Sequence, residues 1–345
     1  MLLRMTHFVH SLHDQANLFQ LPIELILVEW NPPADRPLFS ELDIWPGSDD
    51  YFTFRIITVD ADHHARFPYS SRIPLFQYLA KNIGIRRATG RFVLATNIDI
   101  ILSDTLFEVL ARRSLRAGYH YRLDRWDVDF SDVPPLVPHE ERQRMCVENV
   151  KFIAHRFGAL YPKPPSPGLS PADGLAQLAN ELQAVIDERW ESLLLYSPYI
   201  FQYHPMHFNG CGDFALFATE DWFRLRGYLE EPIHSWHTDS IFLIQAQEAG
   251  IVELFTGLHR PAYHISHDAG WAAAPLARHP STDFVFTREE GENGTGRVRI
   301  DPRYVARIGD ADLAAYVDHV RGMGAFALNG EDWGAPHTAF QERVQ

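Results

Sequence analysis

The segment from Lys81 to Leu110 reads KNIGIRRATGRFVLATNIDIILSDTLFEVL. It divides into the end of a helix, a tight turn at Gly90, an apolar strand from Phe92 to Thr96, the triplet Asn97-Ile98-Asp99 and the start of another helix. Ser103 supplies a hydroxyl that caps such a helix, and Asp104 suits the positive end of its dipole. Asp99 therefore stands just past the carboxyl end of a buried strand. Open α/β sheets bind their ligands at that place.

Outward from this segment the same alternation continues. Residues 3–20 read as an amphipathic helix, and Ile23–Trp30 (IELILVEW) as a strand covered on both faces, stopped by Asn31-Pro32-Pro33. Phe54–Asp60 is a second strand, Pro74–Ala88 a helix, Phe92–Asp99 a third strand, and Ser103 to about Gly118 a helix; His120–Val128 is a candidate fourth strand. The pattern predicts an α/β protein with a mostly parallel, Rossmann-like sheet flanked by helices. A Pro-rich hinge or insertion loop (Tyr161–Pro171) precedes an acidic helix near Pro171–Trp190. A second core begins at Phe208. It has a strand at Asp213–Ala218, a helix from Thr219 capped by its own hydroxyl, a turn at Gly227-Tyr228, a helix at Thr238–Gly250, and strands at Ile251–Phe255 and Pro261–Ile265. Beyond Gly270 the chain turns polar and irregular, with one helix near Ala311–Val320. The expected division is 1–130, a helical and Pro-rich insertion at 131–205, a second half at 206–275 and an extension at 276–345.

Bulk properties narrow the function classes. A length of 345 residues supports one large core or two modest ones. The net charge of −14 argues against a nucleic-acid groove, which needs clustered basic residues. Cys146 and Cys211 are the two cysteines, so no disulfide framework is expected and a reducing compartment is the simpler reading. The amino-terminal stretch lacks the apolar core of a signal peptide, and no run reaches the ~20 apolar residues that span a bilayer. A cytoplasmic location is expected, with a position peripheral to a membrane left open. In that setting the sequon Asn293-Gly294-Thr295 carries little weight. Eighteen histidines make any single one weak evidence of a ligand.

Four segments resemble one family in their order and spacing: VEWNPP (Val28–Pro33); YLAKNIGIRRATGRFVLATNIDI (Tyr78–Ile100); NGCGDFALFATEDWFRLRGYLE (Asn209–Glu230) with HTDSIF (His237–Phe242) downstream; and AYHISHDAGW (Ala262–Trp271). Together they resemble glycosyltransferases of the GT-A fold, between family-2-like enzymes and the β-1,4-galactosyltransferase type. The resemblance implies a hexosyltransferase of polysaccharide biosynthesis that is metal-dependent, with Mn²⁺ or Mg²⁺, and inverting. Its donor would be a nucleotide-sugar, a UDP-sugar before others, and its acceptor a carbohydrate or glycolipid. That fold normally opens with a strand feeding the first helix, whereas here a helix begins at Met1. The first strand is therefore expected to be missing, or to lie upstream of the given start.

The resemblance also implies roles for residues. Asn97-Ile98-Asp99 is similar to the family's Asp-any-Asp motif, in which a carboxylate holds the cation that bridges the donor's phosphates; Asn97 departs from it, supplying an amide for a ribose or water but no charge. His267, with His264, would complete the metal shell with Asp99. Otherwise Asp99 caps a turn and the histidines are surface residues. If the residues between the two histidines are extended, both cannot face one way without a turn. Asp239 falls where the family places its acidic base, with His237 a second candidate; Asp239 would alternatively only stabilise a helix start. Gly212 and Asp213 would line the sugar or acceptor pocket, or form a plain turn. Trp222, Trp236 and Trp271 offer faces to sugar rings, or serve as core. Glu29, Trp30, Asn31 and Asp60, with Asp62, would meet the base and ribose. Lys81 and Asn82 would hold the nucleotide or diphosphate, unless Lys81 is a solvated helix charge.

Asp127-Val128-Asp129 spells the Asp-any-Asp motif better, but its neighbours Arg122, Asp124 and Arg125 read as a salt-bridged edge strand, so Asp99 is preferred. Two other classes stay open. One is a sugar- or nucleotide-binding relative without catalysis. The other is a metal hydrolase using His63-His64, His204, His207, His264 and His267, ranked low because no HExxH spacing occurs.

Overall fold

In α1 (Leu2–Leu18) the residues Met5, Phe8, Val9, Leu12 and Ala16 are buried, at the spacing that turns apolar side chains to one helix face. They share a core with Leu25, Phe54, Leu102, Phe107 and Phe214. The computed structural model describes residues 1–156, 158–193, 206–232, 235, 237–267, 278–279, 284–290, 296–300 and 327–344. In chain order the elements after α1 are β1 (Ile23–Trp30), a 3-10 turn (Phe39–Glu41), β2 (Phe52–Val59), α2 (Ala61–His64), α3 (Gln77–Arg87), β3 (Phe92–Thr96), β4 (Ile100–Leu102) and α4 (Asp104–Ala111). There follow β5 (Tyr119–Arg122), β6 (Arg125–Val128), α5 (His139–Glu148), β7 (Val150–His155), β8 (Gly158–Leu160) and α6 (Pro171–Leu193). Next come β9 (Phe214–Ala218), α7 (Thr219–Leu225), α8 (Thr238–Glu248), β10 (Val252–Phe255) and β11 (Ala262–Ile265). The last strands are β12 (Arg278–His279), β13 (Phe284–Glu290), β14 (Gly296–Ile300) and β15 (Gln341–Val344).

The fold is mixed α/β, with mixed sheets. One sheet has the order β1-β2-β15, a second β10-β5-β9-β3, a third β4-β11-β6-β7-β8, and β12-β13-β14 form a small antiparallel sheet. The β1–β2, β5–β10 and β6–β11 pairs are parallel. The remaining pairs run antiparallel, among them β3–β9, β5–β9, β4–β11, β6–β7 and β2–β15. The expectation of a mostly parallel sheet is therefore corrected. An apolar run such as Ile23–Trp30 shows that a strand is covered on both faces, but not which way its neighbour points.

Three stretches of chain leave the second sheet and enter the third. Thr96 ends β3 and Ile100 begins β4; Arg122 ends β5 and Arg125 begins β6; Phe255 ends β10 and Ala262 begins β11. Backbone bonds bind the crossings together, with Thr256 N–H donating to the Arg122 carbonyl and Ile265 N–H to the Asp99 carbonyl, each at 2.9 Å. The expected strand Phe92–Asp99 thus ends at Thr96, before its crossing, and the expected strand His120–Val128 is split in two at another. β6 lies inside its sheet, between β11 and β7, with Trp126, Asp127 and Val128 buried. It is salt-bridged, Arg125 to Asp127, but it is not an edge. Its charges are tolerated because they are paired with each other and with distant partners.

Helix ends follow their residues. Ser103 caps α4 by accepting the Leu106 N–H, as expected, but the helix stops at Ala111, where Arg113 takes a positive φ of 52°. Thr219 does not cap α7: Ala218 occupies the cap position, and the Thr219 hydroxyl bonds to the Gly90 carbonyl. The expected halves 1–130 and 206–275 share one sheet, since β9 lies between β5 and β3. The carboxyl-terminal stretch packs back on the body. Trp333 is buried, Arg86 stacks on its ring at 4.9 Å, and Arg87 donates to the carbonyls of Gly334, Ala335 and Thr338. The helix expected near Ala311–Val320 and the sequon at Asn293 lie outside the described residues. Among the described residues no helix is long and apolar enough to cross a membrane.

Candidate functional site

Asp99 sits in the turn between β3 and β4, and its carbonyl is tied to the end of β11. β11 runs antiparallel to β4, with His264 opposite Ile100. The strand stops at Ile265, so the chain can turn before His267 and bring both imidazoles to one side. His267 Nε2 lies 3.3 Å, and His264 Nε2 3.8 Å, from Asp99 Oδ2. One ligand atom from each of the three residues lies within 4.8 Å of the others. Asp99 is 8% exposed, and its Oδ1 is buried without a hydrogen-bond partner. Burial pushes the Asp99 carboxyl up, but the His267 hydrogen bond and the nearby His264 and Arg4 charges outweigh it and hold the pKa below the usual carboxylate value.

Behind His264 stands Asp127. Its Oδ1 is 2.6 Å from His264 Nδ1, and its Oδ2 accepts from Arg125 Nε at 2.9 Å. A carboxylate only accepts, so His264 carries a proton on Nδ1 and turns Nε2 toward Asp99. Arg125 extends its other arm to Asp213 Oδ2 at 2.7 Å, and two flanking carboxylates raise its pKa although burial opposes them. Asp213 Oδ1 accepts from the Asn97 amide, whose oxygen accepts from Gln77 at 3.0 Å. The triplet residue Asn97 therefore positions Asp213.

Lys81 reaches this network from α3 and donates to the Gly212 carbonyl. Burial lowers its pKa, while the charges of Asp213, Asp239 and Asp99 pull it back. It is no solvated helix charge. A Cβ on Gly212 would come within 2.7 Å of Tyr78 Oη and 2.9 Å of Asp239 Oδ2, so only glycine lets this backbone approach both groups. Tyr78 is itself buried, and burial followed by the charge of Asp239 raises its phenol pKa. Asp239 lies in the first turn of α8, half-buried, with Oδ1 accepting its neighbour's Ser240 N–H at 2.9 Å. His237 occupies the cap position of α8 with a positive φ of 65°, a conformation that costs energy in a non-glycine residue.

Other predicted residues are used structurally. Trp30 is 7% exposed and enclosed by His63, His64, Phe67 and Phe76, with its Nε1–H on His64 Nδ1 at 2.8 Å. It has no face open for a base. Glu29 is buried, accepts from Phe39 N–H at 3.0 Å, and its pKa is raised by that burial. Asn31, with a φ of 49°, turns the chain after β1, and Asp60 caps α2 by accepting the His63 N–H. Asn82 is fully buried; its amide bonds to the backbone of Tyr228 in both directions and to Glu230. Trp222 is core, stacked on Phe242 at 4.5 Å. Asp129 pairs with exposed Lys151 at 2.8 Å, away from the buried Asp127. His207 is buried against Asp124 at 2.9 Å and apart from the Asp99 group, while His63 and His64 belong to the Trp30 cluster. Trp236, His204 and Trp271 lie outside the described residues.

The sequence reading missed Arg4 and the positioning role of Asp127. Arg4 Nη1 stands 3.0 Å from Asp99 Oδ2. Its one signal was a basic residue in the first turn of an otherwise apolar-faced helix. An open cleft of about 790 Å³ lies elsewhere, along α1 and α5. Its charged groups are already paired, as in Arg142–Asp14 and His13–Asp49, and it shares no residue with the Asp99 group. No protein-family model matches the chain, and no curated protein matches it either.

Proposed function

We propose that this chain is a metal-dependent glycosyltransferase of the GT-A type, moving a sugar from a nucleotide donor, foremost a UDP-sugar, to a hydroxyl of a carbohydrate or glycolipid. One observation carries the reading: Asp99, His264 and His267, distant in sequence, converge at the crossing between two sheets, beside Lys81 and the Gly212–Asp239 contact. Their donor set fits a divalent cation, because a buried carboxylate oxygen lacks a partner and an imidazole is held with its Nε2 facing that carboxylate. One carboxylate with two imidazoles suits Mn²⁺ better than Mg²⁺, which prefers an all-oxygen shell. When bound, such a cation stabilises the charge gained by a departing nucleoside diphosphate.

The chain's own groups supply the rest of the reaction. Asp239 accepts the proton of the acceptor hydroxyl, with His237 the second candidate. Lys81 fixes the Gly212 carbonyl and so the backbone against which the sugar would lie. Asn97 and Arg125 hold Asp213 from two sides, ready to orient sugar hydroxyls. Inversion by direct displacement belongs to the same proposal, as does work in the cytoplasm, with which two buried free cysteines agree.

Calorimetric titration of UDP-sugars with Mn²⁺, then with EDTA, tests the metal. Donor binding that ignores EDTA removes the metal assignment. Transfer across a panel of nucleotide-sugars tests the base. Asp239→Ala is expected to slow it about 10²–10⁴-fold, and equal rates would take Asp239 out of the mechanism. A second reading is a sugar- or nucleotide-binding protein without transfer. It is favoured by the structural use of Trp30, Asn31 and Asp60, and predicts ligand binding with no turnover in either protein.

A further inference from the structure

Four carboxylates, Asp99, Asp127, Asp213 and Asp239, stand among three cations, Arg4, Arg125 and Lys81. Two of the cations are committed to structure. Arg125 is clamped between Asp127 and Asp213, and half-buried Lys81 is held on the Gly212 carbonyl. Arg4 differs. Among the described residues its guanidinium has one acceptor, Asp99 Oδ2, engaged through Nη1 alone. Its side chain is 21% exposed, and it projects from a helix anchored by buried Met5, Phe8 and Val9 and by the Gln15 amide on the Leu102 carbonyl. A firmly held helix thus delivers a partly solvated cation to a single oxygen.

That oxygen is the one nearest both imidazoles. A divalent cation bound by Asp99, His264 and His267 and the Arg4 guanidinium would compete for it. Resting on the metal reading above, we propose that Arg4 is an exchangeable counter-ion: it neutralises Asp99 when no cation is bound, and turns to the phosphate groups of the ligand when a cation takes its place. The charges support this exchange. With Arg4 on Asp99 the seven groups carry one net negative charge; a divalent cation changes that to one net positive. The site then repels anions without metal and attracts them with it, and Arg4 is the guanidinium free to form paired hydrogen bonds to a phosphate. The ligand class is a phosphoanion carried in with a divalent metal.

The 345-residue chain, wild type and as Arg4→Gln and Arg4→Lys, is titrated with Mn²⁺ alone, then with inorganic pyrophosphate or UDP in saturating Mn²⁺. Arg4→Gln is expected to bind Mn²⁺ alone two- to fivefold more tightly, because a competitor is gone. It should bind pyrophosphate and UDP about tenfold more weakly, with Arg4→Lys between the two. Wild-type phosphoanion affinity in Arg4→Gln overturns the proposal, as does weaker binding of Mn²⁺ alone. If the wild type binds no Mn²⁺, the metal reading falls and this inference with it. If the wild type binds Mn²⁺ and Arg4→Gln matches it throughout, only this inference falls.

Discussion

Asp127→Asn tests the site through a residue that is not itself a proposed metal ligand but holds one of them. The wild-type carboxylate accepts two donors, His264 Nδ1–H at 2.6 Å and Arg125 Nε–H at 2.9 Å. An amide of the same shape accepts one and donates to the other. If its oxygen stays on His264, its NH₂ faces the Arg125 Nε–H, and two buried donors meet at a cost of about 1–3 kcal/mol. If it turns around, the NH₂ donates to His264 Nδ1, the ring proton moves to Nε2, and the lone pair meant for the cation is lost. Either way the ligand is weakened. Loss of such an outer partner lowers metal affinity about 10–100-fold, or about 1.4–2.7 kcal/mol. The assay is Mn²⁺ binding by calorimetry or electron paramagnetic resonance, with thermal unfolding as a check on the fold. Asp129→Asn is the control, because its exposed pair with Lys151 contributes about 0–1 kcal/mol at most. Wild-type Mn²⁺ affinity in Asp127→Asn would refute the reasoning. So would an equal loss in Asp129→Asn.

Gly212→Ala should lose about 1–3 kcal/mol of stability together with transfer activity, since the new methyl must displace Tyr78 or Asp239; an alanine variant that melts and turns over like wild type would show that the close approach is not needed. Trp30→Phe should melt earlier by about 1–3 kcal/mol, because His64 loses its donor, while UDP affinity stays unchanged; a selective loss of nucleotide binding would return Trp30 to the base pocket. Burial, with nearby arginine charge, holds His7 and His155 to a pKa of about 4 and His120 to about 3, so the unfolded chain binds more protons than the folded one below about pH 6.5. Stability should therefore fall on acidification from pH 6.5 toward 4, by up to about 1.4 kcal/mol per pH unit for each such histidine, with buried Asp124, whose pKa is raised, acting in the opposite sense. Melting temperatures at pH 7, 6 and 5 measure the slope, and a flat series contradicts it.

Local elements were legible because their causes are local. The apolar run of β1 matches its observed bounds, and Ser103 caps α4 as its position requires. Asp99 and His267 were grouped through the order of motifs along the chain. What was hidden depends on partners far away. Arg125 and Asp127 read as part of a salt-bridged edge because their distant partners, Asp213 and His264, the latter 137 positions on, leave no mark in the local sequence. Trp30 at a strand end looks the same whether it stacks on a ligand or on Phe76; the histidines that fold over it decide. Strand direction was lost for a related reason, since hydrophobicity records cover and not orientation. The tail looked irregular because one buried tryptophan and a run of backbone acceptors for Arg87 leave no periodic pattern.

The bond from the Ile265 amide to the Asp99 carbonyl links these parts in another way. It joins the segment carrying the carboxylate to the one carrying both imidazoles, through main chain rather than through side chains that can swing. The proposed ligands are therefore spaced before anything binds, and little ordering entropy is left for the ligand to overcome. The Ile265 amide should exchange with deuterium as slowly as the surrounding sheet. A cation that seats itself here should slow that exchange further, which makes one backbone proton a reporter of occupancy that needs no turnover to be read.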